Sequence, residues 1–411
     1  MTTAVCVDVG STYTKAALID LDGARLIRRA EVPTTASSDV LTGLDAAVAA
    51  VGGAGERYVC SSAGGGLRLA VVGYEALVTA EAGHRVGLSA GAQVVHVAAG
   101  SLDGRAIATL RAARPDVILL VGGTDGGDGE TLLHNARRLA AARVRTPVVV
   151  AGNADVRAEA AAVLAGRGLV VTETGNVLPR IGVLDPGPAR AAIRGVFLRH
   201  VIGGKRLSRG GRFASLVRAA TPDAVLAGVE LLADLTGAGV LVVDVGGATT
   251  DVYSALVPDA ESESGPRRDV AGTLWRSRTV EGDLGVAAGA AGSRAAAAVE
   301  KLPEPRGDRE LAAAAAVIAL RRHARGHSPG PGLPRTGGRD LRDVRLVVGS
   351  GGVLRHGGGR YVLDAVLSDT AGGWAAPASA RTVVDSEYVL AAAGLLAIDH
   401  RHAAAGLVNT L

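Results

Sequence analysis

The chain has 411 residues, enough for two domains, and 48% of them are hydrophobic, so core size is not limiting. Aromatic residues make up only 2%, so the core must be built from Ala, Val and Leu. The net charge is only +4, and basic residues are not interleaved with aromatic ones, which argues against a nucleic-acid partner.

No secretion signal or membrane span is predicted. The sequence runs from Met1 directly into a predicted strand, without the regions of a signal peptide. The longest apolar runs, 311–320 and 389–398, are too short to cross a bilayer. We therefore expect a soluble cytoplasmic protein that does not associate with a membrane.

The sequence begins with two predicted strands joined by a turn that could bind phosphate. It reads VCVDVGSTYTKAALIDLDG, two apolar runs around a turn of small residues, with an Asp-Gly hairpin signal at the end. Gly10 lets the backbone approach an anion, and Ser11 and Thr12 can donate to phosphate oxygens. Asp8 can hold a hydrated divalent cation, and Lys15 can neutralise phosphate charge. Taken alone, such a turn is more often a simple hairpin.

The next segments complete the start of a half-domain. Residues 24–32 predict a third strand, a serine can cap a helix that extends to about residue 51, and residues 57–62 predict a fourth strand. This order is expected at the start of an RNase H-like half-domain, which we place at residues 1–66. Its last residues, the glycines 64–66, predict either a close backbone approach or a flexible turn.

After residue 66, strands and helices alternate. Short apolar runs predict strands at 93–98, 116–121, 148–151 and 169–172. The segments between these runs predict helices at 106–114, 130–143 and 154–166. Such alternation is typical of a parallel sheet. We therefore expect an inserted α/β subdomain at residues 67–185.

A glycine-rich run, GGTDGGD, follows one of these strands and precedes a helix. Strand ends of this kind often bind ligands. The two aspartates would repel phosphate and would suit Mg²⁺, a hydroxylated ligand or a basic partner; alternatively, Asp125 belongs to a turn and Asp128 caps the helix. Asn153 and Asn176 end the next two strands, so the strand ends predict one shared rim. The residues of this second candidate site are Gly122, Gly123, Thr124, Asp125 and Asp128.

Helices are predicted next at 186–203, 213–220 and 223–236, the last with Thr221 as N-cap. The following stretch, VLVVDVGGATTDVYS, repeats the first. The aligned pairs are Asp8 with Asp244, Gly10 with Gly246, Thr14 with Thr250 and Lys15 with Asp251. Two copies of one half-fold that face each other across a cleft would direct two phosphate turns at one ligand.

The remaining chain predicts an exposed loop at 259–268, helices at 287–301, 308–325 and 385–399, and a mobile loop at 327–339. Glu281 and Asp283 could approach the cleft, or could simply lie at a helix start. A third motif, LVVGSGGVLRHGG, is an apolar strand that runs into Gly349, Gly351 and Gly352, where a flat ring could lie against bare backbone.

The three motifs, in this order and spacing, resemble the two phosphate motifs and the adenosine motif of the actin, hexokinase and Hsp70 ATPase superfamily. Within it, DVGSTYTKAALIDLDG, GGTDGGD and TGNVLP most resemble the glutamate mutase-associated MutL family, which is unrelated to the mismatch-repair protein of that name. The resemblance covers nearly the whole chain. It implies an α/β protein with duplicated RNase H-like (actin-like ATPase) half-domains, an inserted parallel α/β subdomain, and a second half-domain at residues 186–411 that carries the adenosine motif.

The cysteines separate this chain from similar proteins of the superfamily. Activators of 2-hydroxyacyl-CoA dehydratases share the Gly-Ser-Thr type of loop but carry an iron–sulfur cluster, which needs several cysteine ligands. This chain has only Cys6 and Cys60, both in apolar strand contexts. We expect buried free thiols and no cluster.

The resemblance implies that ATP and Mg²⁺ bind between the half-domains. Asp8 and Asp244 would be the catalytic and metal-binding residues. The other predicted nucleotide contacts are Gly10, Ser11, Thr12, Thr14, Lys15, Gly246, Gly247, Thr250, Gly349, Gly351 and Gly352.

The family resemblance also implies a biological role, as a chaperone-like reactivating ATPase that works with a cobalamin-dependent mutase subunit. Two alternatives stay open at this point: a small-molecule kinase with the 122–128 run as acceptor site, and an ATP-dependent scaffold or filament protein. The chain could also form a homodimer.

Overall fold

The computed structural model describes residues 1–411 except 53–54, 64–66, 203–206, 258–270, 272–273, 327–337, 372–373, 375 and 378. Three predictions fall wholly or largely outside the described residues: the glycines 64–66 and the loops at 259–268 and 327–339.

The described strands form three five-stranded sheets. They are β1 (Thr3–Val9), β2 (Tyr13–Asp20), β3 (Arg25–Pro33), β4 (Glu56–Ser61), β5 (Arg68–Gly73), β6 (Gln93–Ala99), β7 (Val117–Leu120), β8 (Val148–Val150), β9 (Val171–Glu173), β10 (Val217–Ala220), β11 (Gly239–Val245), β12 (Thr250–Ala255), β13 (Arg276–Glu281), β14 (Val344–Ser350) and β15 (Arg381–Val384).

Helices cover the sheets and connect their strands. They are α1 (Val40–Val51), α2 (Thr79–Ser89), α3 (Gly104–Ala112), α4 (Glu130–Ala141), α5 (Ala154–Ala165), α6 (Gly187–Val196), α7 (Arg212–Leu216), α8 (Thr221–Thr236), α9 (Ala290–Val299), α10 (Asp308–Arg325), α11 (Gly359–Ser368), α12 (Val389–Leu396) and α13 (Arg401–Val408), with π-helical turns at Phe197–Ile202 and Leu354–Gly358.

The first and last sheets have the same topology. The strand order is β3-β2-β1-β4-β10 in one and β13-β12-β11-β14-β15 in the other. In each, the first three strands are antiparallel and the last two run parallel to the central strand, β1 or β11. This is a duplicated RNase H-like fold, and it confirms the predicted fold class.

The side chains of β1 alternate between two buried faces, which explains why this strand lies at the centre of the first sheet. Val5, Val7 and Val9 are fully buried on the face covered by α1, while Ala4 and Cys6 pack on the opposite face. Because side chains alternate across a strand, one apolar sequence can serve two cores at once. Asp8 shares the second face, which is the one directed towards the other half.

The middle sheet, in the order β6-β5-β7-β8-β9, is parallel throughout. It confirms the predicted parallel α/β subdomain, which we call the middle subdomain and which contains β5 to β9 with helices α2 to α5. Strand β5, which lies between β6 and β7, and helix α2 were not predicted, because a short apolar run such as β5 does not by itself distinguish a strand from a helix.

The segment after this sheet returns to the first half. The predicted helix at 213–220 is wrong in its second part, since Val217–Ala220 form β10 and pair with β4. Thr221 is the first residue of α8 and Ala220 is the N-cap, which corrects the predicted cap. The division at residue 186 is still a prediction; because β10 belongs to the first sheet, we propose that the first half extends to Ala220.

Two helices, α8 and α12, pack together between the halves. Their apolar residues share one buried cluster with Ala4 and Cys6 of β1 and with Val240 and Val242 of β11. The helices approach closely at two glycines: a Cβ atom on Gly394 would lie 1.8 Å from the Ala224 carbonyl oxygen. A Cβ atom on Gly228 would lie 2.1 Å from the Leu390 carbonyl oxygen. Among the described helices, none has the length and apolar character needed to cross a membrane.

Candidate functional site

The two predicted phosphate turns are built in the same way. The Gly10 N–H donates to the Tyr13 carbonyl at 3.0 Å, and the Gly246 N–H donates to the Thr249 carbonyl at 2.9 Å. A Cβ atom on either glycine would come within 2.7 or 2.9 Å of the same carbonyl oxygen. Both turns therefore require glycine at this position.

The two aligned threonines lie inside the protein. Thr14 and Thr250 are fully buried and pair with equivalent residues of β1 and β11. The Thr14 hydroxyl bonds to the Thr34 hydroxyl at 2.9 Å, and the Thr250 hydroxyl donates to the Leu284 carbonyl at 3.1 Å. Both hydroxyls thus stabilise the turns through hydrogen bonds inside the protein and are not exposed to a ligand.

The tips of the turns face solvent. Ser11 and Thr12 are exposed on the first turn, and Gly247 is exposed on the second. The carbonyl of Gly247 accepts from the Ala287 N–H at 2.8 Å, so the segment before α9 supports the second turn. These tips are where backbone N–H groups and hydroxyls can meet an incoming anion.

Asp8 lies at the end of β1, directly opposite Lys15 on β2 and Cys60 on β4. Its Oδ1 accepts a hydrogen bond of 2.6 Å from the Thr221 hydroxyl and lies 3.7 Å from the Cys60 sulfur. Its Oδ2 lies 3.9 Å from Nζ of Lys15. Cys6 and Cys60 are both buried and free, as predicted.

Lys15 contacts an aromatic ring from the other half. Its Nζ lies 4.0 Å from the centre of the Tyr388 ring, and the Arg355 guanidinium lies 4.1 Å from the same ring. Burial alone would lower the pKa of Lys15, but the charges of Asp8 and, less strongly, Asp244 outweigh it and raise that pKa. Lys15 is therefore a permanent cation within this site.

Asp244 occupies on β11 the position that Asp8 has on β1. Its neighbours across the sheet are Asp251 on β12 and Ser350 on β14. Burial and the nearby Asp251 carboxylate raise the pKa of Asp244 to about 6, against the opposing effects of Lys15 and of a hydrogen bond from Ser350. At neutral pH this carboxylate is therefore close to its titration range.

Asp251 has its own cation. Arg278 of β13 donates to its carboxylate at 2.8 Å and is almost fully buried. The same guanidinium also donates to the carbonyl of Gly91, which follows α2 of the middle subdomain. In the first half, the ion pair next to the cavity is formed by Asp8 and Lys15. In the second half, the nearby ion pair is formed by Asp251 and Arg278.

Both aligned aspartates face one cavity. It has a volume of about 70 Å³ and is lined from the first half by Asp8 and Lys15 and from the second by Asp244, Ser350 and Tyr388. Thr221, Ser350 and Tyr388 were not predicted as site residues. Ser350 lay within the third motif, whereas Thr221 and Tyr388 come from distant segments without a motif.

The three glycines of the third motif have different environments. A Cβ atom on Gly349 would meet Leu354 and Leu363, so this glycine permits close packing. Gly351 has φ +104 and lies against the Val245 backbone. Gly352 is exposed, with no atom within 4 Å of an added Cβ. Of the three glycines, Gly352 is the one that presents bare backbone outward.

The predicted rim of the middle sheet forms one hydrogen-bonded network. The Asp125 carboxylate accepts from the Ala154 N–H at 2.9 Å and from the Asn176 amide at 2.8 Å. Asn153 donates to the Gly127 carbonyl at 3.0 Å. Asp128 accepts weakly from the first N–H groups of α4, but Gly129 is the N-cap, which corrects the predicted cap by one residue.

The glycines of the rim have conformations that the network needs. Gly122 and Gly123 have φ values of +155 and +67. Thr124 is partly buried, and its hydroxyl oxygen would lie 2.7 Å from a Cβ atom on Gly127. The rim residues thus come together, and their polar groups bond mainly to one another.

The residues around the cavity suit a hard divalent cation. Mg²⁺ is commonly held by one or two carboxylates, with phosphate oxygens and water completing the shell. Asp8 and Asp244 provide the carboxylates, and Thr221 and Ser350 provide nearby hydroxyls. Within the described ranges, no group of three or more acidic, histidine or cysteine side chains forms a metal cluster by itself.

Glu281 and Asp283, which were predicted either to approach the cleft or to lie at a helix start, are held elsewhere. Both carboxylates form ion pairs of 2.7 Å with Arg322 of α10.

Comparison with known proteins gives one family. The family described as MutL protein matches residues 4–306 and 294–411. Protein MutL of Clostridium tetanomorphum is 33% identical over 440 residues, which cover 95% of this chain and 95% of that protein.

Among solved structures, component A of the (R)-2-hydroxyglutaryl-CoA dehydratase of Acidaminococcus fermentans is 10% identical, with a TM-score of 0.34 over 98% of this chain and 100% of that one. Nucleotide-free acetone carboxylase is 16% identical, with a TM-score of 0.33 over 69% of this chain and 48% of that one.

Proposed function

The chain belongs to the MutL protein family, and from this premise we propose that it binds ATP and Mg²⁺ between its halves and hydrolyses ATP as a chaperone-like reactivating factor for a cobalamin-dependent mutase. The observation that carries the nucleotide proposal is the shared cavity. Asp8, Lys15 and Asp244 line it together, although they come from two separate copies of one half-fold.

Phosphoryl transfer depends mainly on positioning and on charge neutralisation, and the residues of the cleft can supply both. The turn tips at Ser11, Thr12 and Gly247 would bind phosphate oxygens, and Lys15 would offset their charge. Asp8 and Asp244 would hold Mg²⁺, which would neutralise further charge on the phosphates. Gly352 would lie against the adenosine.

The raised pKa of Asp244 suits a second task. A carboxylate that titrates near pH 6 can accept a proton from water under physiological conditions more readily than an ordinary aspartate can. Asp8 has a different environment, since its carboxylate accepts a hydrogen bond from the Thr221 hydroxyl at 2.6 Å and lies 3.9 Å from the Lys15 ammonium. We therefore assign Asp8 to holding the cation only, whereas Asp244 would contact the cation and also orient the attacking water.

Nucleotide entry requires the cleft to open. Ligand pockets usually measure about 300–1,000 Å³, whereas this cavity has about 70 Å³. Two ion pairs join β3 to the second half, between Arg29 and Glu387 at 2.7 Å and between Glu31 and Arg355 at 3.4 Å. An ATPase cycle that breaks and remakes these pairs would move the halves, and with them the middle subdomain, against a partner.

The mutase partner and the cobalamin connection rest on the family resemblance alone. A small-molecule kinase would need an acceptor site, and the carboxylates of the rim already bond to neighbouring N–H and amide groups. We therefore keep the kinase and the scaffold as outcomes of the test below.

The test combines calorimetry with turnover. We expect wild-type protein to bind ATP with magnesium and to hydrolyse it slowly without any metabolite, faster when the mutase is present. Asp8→Ala and Asp244→Ala should abolish turnover more than binding. Asp364→Asn, an exposed carboxylate of α11, is the matched control and should behave as wild type.

Three results would decide against the proposal. Absence of heat with adenine nucleotides and magnesium would end the nucleotide assignment. Turnover that depends on one metabolite would identify a kinase, and ATP-dependent sedimentation would identify a scaffold. Pull-down of a mutase subunit would support the partner assignment independently of turnover.

A further inference from the structure

Four arginines surround a pocket at one end of the middle subdomain. Arg111, Arg114, Arg143 and Arg145 line it together with Leu110, Pro115, Val144 and Thr146, and its volume is about 310 Å³. We call it the arginine pocket. Its two loops lead into β7 and β8, so it lies where the parallel strands begin, at the opposite end from the rim.

The positive charge of the arginine pocket is not balanced internally. Among the residues that the structure describes, no carboxylate forms an ion pair with any of the four guanidinium groups, and none of the lining residues is acidic. Arg111 donates to the carbonyl of Ala142, which leaves its charge unpaired. By contrast, Arg137 of the same subdomain pairs with Glu159 at 3.2 Å.

Helix ends explain only part of this arrangement. The pocket lies beside the C-terminal ends of α3 and α4, where a positive charge is favourable. That effect needs a single cation at each end. Arg114 and Arg143 also have left-handed backbones, with φ values of 46 and 49, at positions where glycine or asparagine is usual. Folding alone therefore does not call for these arginines.

The chemistry of the pocket favours phosphate. A guanidinium group offers parallel N–H donors that match the oxygens of a phosphate. The pocket is concave and its volume is near the lower end of the ~300–1,000 Å³ range of ligand sites. These features fit a compact anion with several charges better than an extended peptide.

We propose that the arginine pocket binds a compact, multiply charged phosphate compound, at a site separate from the nucleotide cleft. The two loops place four cations around one ligand, and the buried side chains of Leu110 and Val144 form the floor beneath it. The site follows from the unpaired arginines and is independent of the proposed ATPase function.

The test is calorimetric titration of the full chain without magnesium. Inorganic tripolyphosphate represents free phosphate chains, fructose 1,6-bisphosphate represents phosphate esters, and hexaglutamate represents an acidic protein segment. The variant Arg114→Asn/Arg143→Asn removes two charges and keeps residues that tolerate a left-handed backbone. The matched control, Arg105→Gln/Arg167→Gln, removes two exposed charges elsewhere in the subdomain.

We expect saturable binding of at least one phosphate probe that weakens as salt is added. The pocket variant should bind at least tenfold more weakly, and the control should stay within about twofold of wild type. Whichever phosphate probe binds more tightly identifies the source of the ligand.

Three results would overturn the proposal. The first is the absence of saturable binding to wild type. The second is equal binding by the pocket variant and the control, which would place the anion elsewhere. The third is tighter binding of hexaglutamate than of either phosphate probe, which would indicate a protein partner.

Discussion

The hydroxyl of Thr221 donates a 2.6 Å hydrogen bond to the carboxylate of Asp8, across 213 residues of sequence. This bond joins the first residue of α8 to the end of β1. It leaves the other carboxylate oxygen of Asp8 directed towards Lys15. The helix between the halves thereby fixes the orientation of the carboxylate that we assign to the cation.

Replacing this hydroxyl should reduce ATP turnover. A hydrogen bond to a charged group contributes about 1.5–3 kcal/mol, so we expect Thr221→Val to lower kcat about tenfold or more. Thr221→Ser keeps the hydroxyl and should retain most of the activity. Steady-state kinetics of both variants make the comparison; wild-type turnover in Thr221→Val would show that this bond does not serve catalysis.

Neutralising Asp244 should stabilise the protein in a pH-dependent way. The pKa of this carboxyl is about 6 in the folded protein and about 3.9 when unfolded. Between these values the folded state binds more protons, so wild-type stability falls as the pH rises from about 4 to about 6. Asn cannot titrate, so the advantage of Asp244→Asn should grow across this window and stay constant above it, at about 1–3 kcal/mol.

Thermal unfolding at several pH values, with a chelator present, measures this effect. Asp364→Asn serves as the control because its carboxylate is exposed and lies on α11. A constant difference between Asp244→Asn and wild type over the whole pH range would contradict the raised pKa.

Adding one methyl group between α8 and α12 should be costly. In Gly394→Ala the new Cβ would lie 1.8 Å from the carbonyl oxygen of Ala224, which is a backbone atom that a rotamer change cannot move. We expect a loss of about 2–3 kcal/mol in the free energy of unfolding, because the helices must separate. Gly104→Ala, where no atom lies within 4 Å of the new Cβ, should cost almost nothing. Denaturant titration compares the two, and equal stabilities would disprove the close contact.

Gly352 offers a test of the adenosine contact that does not disturb the fold. Its added Cβ would meet no atom within 4 Å, so Gly352→Gln should unfold within about 2 °C of wild type. The new side chain would cover the bare backbone, and ATP affinity should fall about tenfold or more. Calorimetry would detect this loss, and unchanged affinity would remove the third motif from the binding site.

The two phosphate turns could be predicted from sequence because their backbone geometry requires particular residues. The turns at Gly10 and Gly246 need glycine because a carbonyl oxygen occupies the space of a side chain, and such a need is visible in sequence. The contact between Thr221 and Asp8 was not predictable, because it depends on how α8 packs after a long insertion. The strand β10 is a similar case, since its four residues become a strand only through pairing with β4.

The sequence predicted which charged residues differ between the two copies, but not their contacts or their effect on pKa values. The alignment of Lys15 with Asp251 showed that the two copies differ there. It did not show that Arg278 would bind Asp251, or that burial and the Asp251 carboxylate would raise the pKa of Asp244.

The two halves carry different residues at one aligned position, Lys15 in the first and Asp251 in the second, so the crevice between them is not symmetric. A homodimer of a single half-fold would present the same residue twice, related by a twofold axis. Once duplication had joined both copies in one polypeptide, each could mutate alone, and a lysine on one side could face an acid on the other. Fusion thus released the crevice from symmetry, so that its two walls could be adapted to a molecule whose own ends differ.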